Sequence, residues 1–254
     1  MGAFPSLSFF SFAEITDPTK HRAFNEYHQL DHRPANLALP CVHWGERFVR
    51  TPACAAASQA ADPRYSGTHY VNFYLFRDAS KEARWEWTKL GSLGAYWGRK
   101  PDHDWSRREV GFFETLSAWS HPRVRVEPEV LPMRPNRGIH VTVEELSGDP
   151  GRLHELGEWV ETVRVPDVLG CDGVAGVWTA VREDGFPASR VAEAPAGNRP
   201  TMITTVFLDG DPLQFAAALT DLRDDRPVGT ELLFASPLAT ITPWEWDWFD
   251  GPRG

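Results

Sequence analysis

The strongest constraint on this chain is a register that repeats without a gap. Asp17 recurs as Asp149, Glu26 as Glu158, Tyr27 as Trp159, Pro34 as Pro166, Leu37 as Leu169 and Val42 as Val174, always at a spacing of 132 residues. A common offset across a whole helix and its following turn marks an internal duplication. The chain of 254 residues therefore reads as two copies of one unit, residues 1–127 and residues 128–254. Whatever one copy folds into, the other must also be able to form.

Periodicity defines the unit. LSFFSFAEI (7–15) is a Phe-rich run expected as a strand covered on both faces, and Asp17-Pro18 opens a helix, Asp capping and Pro filling the first helical position. That helix is expected to end near Pro34, because Pro disfavours helical geometry in the residue before it. Strands follow at 43–51, 68–76 and 111–119, with a loop at 53–67 and a helix over 78–89 capped by Asp78 or Ser80. The second copy repeats strands at 137–146, 174–182, 201–208 and 231–241, with Asp149-Pro150 and Asp211-Pro212 as its helix starts. The order β-α-β-β-α-β is ferredoxin-like. Such a unit leaves one sheet face bare. Two units in one chain bury their bare faces against each other, giving an α+β class protein that pairs with itself.

Charge and composition narrow the function. A net charge of −9 without a basic stripe argues against nucleic acid and anionic membrane as partners. No apolar run of 18 residues and no basic, then apolar, N-terminal segment occurs, and Cys41, Cys54 and Cys171 show no disulfide or metal spacing. A cytoplasmic protein with reduced thiols is the expectation, with Cys41 as a small buried hydrophobe. Eleven Trp and 15 Phe suit a packed core or an apolar ligand cavity. Phosphate-binding loops, a serine-nucleophile elbow and a dinucleotide fingerprint are absent from the sequence.

The stretch from Asp17 to Trp44 holds four of the nine histidines. On a helix, His21, Asn25, His28 and His32 share a stripe beside the apolar Ala23, Phe24 and Tyr27. The run Asn25-Glu26-Tyr27-His28-Gln29-Leu30-Asp31-His32-Arg33-Pro34 resembles the signature of EthD-like proteins in the dimeric α+β barrel superfamily, here in a fused, tandem form. That resemblance implies a cleft between sheet and helices that takes small, often cyclic or polyketide-like molecules. It covers cofactor-free monooxygenases, cyclases, decarboxylases, lactone isomerases and haem enzymes, so it does not select a reaction.

Comparison of the two copies locates the expected site. His28, His32 and Asn25 face Val160, Arg164 and Gly157 in the second copy, so the polar stripe belongs to the first alone. His28 and His32 are the candidate general acid and base, oriented by Asp31 or Glu26, with Asn25 beside them. Along THYVNFYLF, Tyr70, Asn72 and Tyr74 share the face expected to meet substrate. The segment 91–111, with three glycines before Pro101 together with Tyr96, Trp97, His103 and Trp105, is expected as a lid that contributes binding residues. HQLDH is not a zinc-protease HExxH, so no metal is expected. The function expected is a cofactor-independent lyase, isomerase or cyclase acting on a small carbonyl compound, with the second copy mainly structural. Two rivals remain: an oxygenase or haem enzyme ligated by His28, His32 or His69, and a non-catalytic ligand-binding barrel. A homodimer of the whole chain stays open. Trp244, Trp246, Trp248 and Phe249 are expected to pack back on an edge.

Overall fold

The computed structural model describes residues 5–100, 105–146, 152–182, 200–222 and 224–250. Each copy forms the β-α-β-β-α-β unit. In the first, β1 (Leu7–Ile15), β2 (Val42–Val49), β4 (Tyr70–Phe76) and β5 (Trp105–Ser120) pair in the order β2-β4-β1-β5. In the second, β6 (Gly138–Leu146), β7 (Val174–Arg182), β8 (Thr201–Leu208) and β9 (Thr230–Thr240) pair in the order β7-β8-β6-β9. All pairings are antiparallel. The β5–β7 pair joins the copies on one side, and Phe48 opposite Thr240 with Val49 opposite Ala239 joins β2 to β9 on the other. The sheet thus closes into a barrel.

Period-two alternation decides what fills it. Phe10, Phe12, Phe48, Val71, Phe73 and Leu75 from the first copy meet Ile139, Val141, Val143, Ala180, Ile203 and Phe207 from the second in one buried cluster. Phe10 stacks on Phe73 with ring centroids 4.4 Å apart. Residues one step along each strand face the helices instead. Tyr70, Asn72 and Tyr74 lie under the helices of the first copy, as the alternation of β4 requires.

Four sequence expectations are corrected by the fold. The first helix does not stop near Pro34: α1 (His21–Tyr27) runs through a π-turn (His28–His32) into α2 (Arg33–Leu37). The Arg33 amide bonds the carbonyl of His28 five residues back, so the wider turn removes the carbonyl that the Pro34 ring would otherwise strike. The second copy has the same device, a π-turn at Val160–Arg164 before Pro166, which confirms the duplication in backbone geometry. The segment 53–67 is not all loop: α3 (Pro52–Ala56) starts on a Thr51 cap, and β3 (Ala60–Ala61) pairs with β9. The helix expected to end at residue 89 continues, as α4 spans Lys81–Tyr96 from a Ser80 cap. Residues 91–96 are therefore helix rather than lid, and the strand expected from 111 already begins at Trp105. Gly91 and Gly94 are poor helix formers, but local propensity yields to the packing of α4 on the sheet through Ala83 and Trp87.

The second copy carries α5 (Leu153–Trp159), α6 (Val165–Leu169) and α7 (Pro212–Leu219), the last opened by Asp211 accepting from the Leu213 amide at 2.9 Å. After β9, the Trp-rich tail crosses back onto the first copy. Trp246 is buried beside Ile15, Phe24 and Tyr70, and Phe249 stacks on His21 at 4.0 Å. No helix among the described residues is long and apolar enough to cross a membrane.

Candidate active site between the first sheet and its helices

A small cleft of about 50 Å3 opens between β1, β4, β5 and the helices of the first copy, bounded by His28, His32, Asn36, Asn72, Trp87 and Arg107. Phe9, Ser11, Tyr74, Thr88, Gly91 and Trp105 complete its walls. The π-turn presents His28 and His32 edge to face with centroids 4.9 Å apart. Tyr27 stacks on His32 and its hydroxyl lies 3.4 Å from His32 Nδ1. His28 packs on Phe24 at 4.4 Å. Two imidazoles from adjacent turns thus share one opening.

A buried polar network supports them. Asn25 donates from Nδ2 to the Tyr70 hydroxyl at 2.8 Å and to the His21 carbonyl at 2.9 Å. The other side of Tyr70 meets His21 Nδ1 at 2.9 Å. Arg47, wholly buried on β2, donates from Nη2 to Asn25 Oδ1 and lies 5.0 Å from the ring centres of both Phe24 and Tyr70. Its Nε and Nη1 have no hydrogen-bond partner among the described residues. Asn36 donates to the Tyr74 hydroxyl at 3.3 Å. Asn72 donates to the Ser11 carbonyl at 3.1 Å, while its Oδ1, buried at the cleft wall, has no hydrogen-bond partner among the described residues.

Four cationic side chains bear on His32 in this cleft. Burial, and then the charges of Arg107, Arg47, Lys100 and Arg99, push His32 down to about 4, so it is a neutral imidazole near pH 7. Burial pushes Tyr70 up to about 12 against the opposing pull of its Asn25 hydrogen bond and of Arg47, and burial brings Arg47 down to about 10. Among the described residues no carboxylate lines the cleft. Asp31, expected beside the imidazoles, pairs with Arg99 at 3.1 Å on the outer side, and Glu26 pairs with Arg22 at 3.3 Å in solvent. The phenol of Tyr27 stands where a carboxylate was expected.

Of the residues singled out by sequence, His28, His32, Asn72, Tyr74 and Trp105 line the cleft, and Asn25 and Tyr70 lie directly behind it. Trp97 caps the end of α4 with more than half of its surface exposed, away from the opening. His103 lies outside the described residues. His69 accepts from the Ile15 amide and packs on His21 and Phe249, apart from both cavities. Sequence reasoning missed Asn36, Arg47, Trp87 and Arg107. Asn36 continues the four-residue spacing His28, His32, Asn36 and was lost only because the helix was ended at Pro34. Arg47 sat in a strand whose pairing partner was unknown.

A second, larger cavity of about 190 Å3 occupies the equivalent place in the second copy, lined by His140, Glu144, Arg164, Thr204, Leu219 and Arg226, among others. The offset of 132 matches Arg164 to His32, Thr204 to Asn72, Val206 to Tyr74 and Leu219 to Trp87. Smaller side chains account for the greater volume.

No family model and no curated protein sequence matches the chain. Solved structures do. The encapsulated DyP-type peroxidase from Mycobacterium smegmatis superposes with a TM-score of 0.54 at 8% identity, covering 99% of this chain and 96% of that one. A DypB variant in complex with manganese gives 0.52 at 8% identity over 94% of each chain. A mutant chlorite dismutase from Candidatus Nitrospira defluvii, in complex with cyanide, gives 0.44 at 9% identity over 93% of this chain and 91% of that one. At this identity the likeness concerns the fold.

These neighbours overturn the expectation of cofactor independence, because structures with this barrel include haem-dependent enzymes. The described residues themselves do not form a slot for a tetrapyrrole. Drug-sized ligands occupy about 300 to 1,000 Å3, and the cavities around His28 and His32 and around His140 hold about 50 and 190 Å3. Among the described residues no group of three or more His, Cys, Asp and Glu side chains is placed to hold a metal ion.

Proposed function

From a chain that is a tandem dimeric α+β barrel, we propose that the first-copy cleft is the active site of an enzyme acting on a small enolisable carbonyl compound in its anionic form. The observation that supports this reading is a cleft in which two imidazoles meet beside Arg107, with the charges of Arg107, Arg47, Lys100 and Arg99 bearing on His32. A neutral imidazole accepts a proton from carbon and returns it, or donates a hydrogen bond to a developing oxyanion. Arg107 at the wall, with Arg47 behind, stabilises the negative charge that proton abstraction creates. Asn72 Oδ1 accepts from a substrate hydroxyl or enol. With about 50 Å3 free, the cleft takes the reactive end of a substrate, as a whole benzene ring needs about 150 Å3. Tyr27 positions His32 through ring stacking and its hydroxyl.

The test is deuterium exchange at the α-carbon of enolisable keto acids, acetoacetate first, followed by proton NMR in D2O. Exchange reads proton transfer directly, whatever the net reaction. Wild-type protein accelerates it, and His28→Ala and His32→Ala each lower the acceleration about 100-fold. Exchange no faster than in buffer across the keto acids, or unchanged in both variants, sinks the reading.

A further inference from the structure

The cleft of the second copy is nearly four times as roomy as that of the first, about 190 Å3 against 50 Å3. Tyr74 and Trp87, whose ring centres lie 4.7 Å apart beside the first cleft, are replaced by Val206 and Leu219. An apolar cavity of about 150 Å3 is enough for one benzene ring.

Charge at this cleft is matched by the protein itself. Arg226 Nε meets the buried Glu144 at 2.6 Å, and its Nη1 meets Asp224. Arg164 meets Asp224 at 3.9 Å, lies 4.9 Å from the Trp159 ring centre, and feels the charges of Glu144, Asp224 and Asp167. His140, its Nε2 3.0 Å from Gln59 Oε1, is kept neutral near pH 7 by burial. A charged ligand would lose its hydration here and find both arginines and both carboxylates of the wall already engaged.

The hydroxyls of the wall differ from its charges. Strands β6 and β8 set Thr142 opposite Thr204, and both line the cavity. Thr204 is 5% exposed, and its hydroxyl has no hydrogen-bond partner among the described residues. A buried hydroxyl left unpaired is a cost that a ligand oxygen removes. Val168, Val206, Leu219 and Leu232 supply the apolar surface for the rest of such a ligand.

We propose that the second cleft is a separate binding site for an uncharged single-ring compound carrying a hydroxyl, with the ring against Val206 and Leu219 and the hydroxyl bonded to Thr204. This site uses none of the residues of the first cleft. It stands whether or not His28 and His32 transfer protons.

The readout is the methyl resonances of Val206 and Leu219 in the full chain labelled with 13C at Val and Leu methyls. Benzyl alcohol is titrated at neutral pH beside benzoate, benzylammonium and toluene, which keep the ring and change only its substituent. The expected result is a saturable shift with benzyl alcohol, and at least tenfold weaker binding of benzoate and benzylammonium. Thr204→Val, which keeps the shape and removes the hydroxyl, lowers the preference for benzyl alcohol over toluene at least fivefold. Leu219→Trp, which refills the cavity as in the first copy, abolishes the shift of Val206. No saturable shift with benzyl alcohol, equal binding of either ion, an unchanged preference in Thr204→Val, or full binding by a folded Leu219→Trp variant overturns the proposal. Should Leu219→Trp fail to fold, the altered preference of Thr204→Val decides alone.

Discussion

At the scale of single residues, the site depends on close approaches as much as on charges. A Cβ at Gly45 would sit 2.0 Å from Cδ1 of Tyr74, so this ring reaches the cleft wall only because position 45 has no side chain. The second copy has Val177 and Val206 at the same places, a larger residue opposite a smaller one. Gly45→Ala should therefore destabilise by about 1 to 3 kcal/mol, measured by urea denaturation, and Tyr74→Val should restore much of that loss in the double variant. Additive effects would refute the pairing. Burial also makes the protein sensitive to acid. His140 is wholly buried against Gln59, which lowers it to about 3 against 6.5 in the unfolded chain. The unfolded state then binds more protons, so stability falls as pH drops from 6.5 toward 3, by about 2 kcal/mol at pH 5 from this residue. His140→Gln should lose less stability than wild type between pH 7 and pH 5. The lowered His32 likewise predicts a rate that shows no His32 inflection near pH 6.5 and whose acid limb lies near pH 4.

At the scale of elements, the π-turn is the feature that shapes the cleft. It widens the helix by one residue, carries a proline without breaking, and turns His28 and His32 toward one opening while Asp31 points to Arg99. Helix α4 forms the other wall and runs through two glycines. A Cβ at Gly91 meets nothing within 4 Å, so Gly91→Ala should stabilise by up to about 1 kcal/mol, seen as a raised Tm. Gly94 approaches the Tyr27 hydroxyl, with 3.6 Å left for an added Cβ, and leaves less room.

At the scale of the whole molecule, the two copies share one core. Phe10, Phe73 and Phe113 pack with Ile139, Ile203 and Phe207 inside the barrel. Neither sheet can expose its inner face to water without losing that burial, so unfolding should be a single transition in which far-ultraviolet dichroism and Trp fluorescence coincide. Two separated transitions would show that the copies fold independently. The tail after β9 ties them further, with Trp246 and Phe249 of the second copy packed over Phe24, Tyr70 and His21 of the first.

The duplication, the order of elements and the inward faces of the strands are legible in the sequence, because they rest on periodicity, capping and a constant offset, all of which are local. So is the asymmetry of the histidines, which separates Asn25, His28 and His32 from the residues that both copies retain. The tertiary structure decided what local signals could not carry. Whether a helix survives Pro34 depends on a five-residue hydrogen bond, whether residues 91–96 form a lid or a helix depends on what Trp87 packs against, and whether Asp31 meets His32 or Arg99 depends on how a widened turn is rotated. Arg47 joins the site only through strand pairing. The size of each cleft is a balance of volumes between Gly45 and Tyr74, or Val177 and Val206, on strands distant in sequence, and that balance exists only once the sheet has formed.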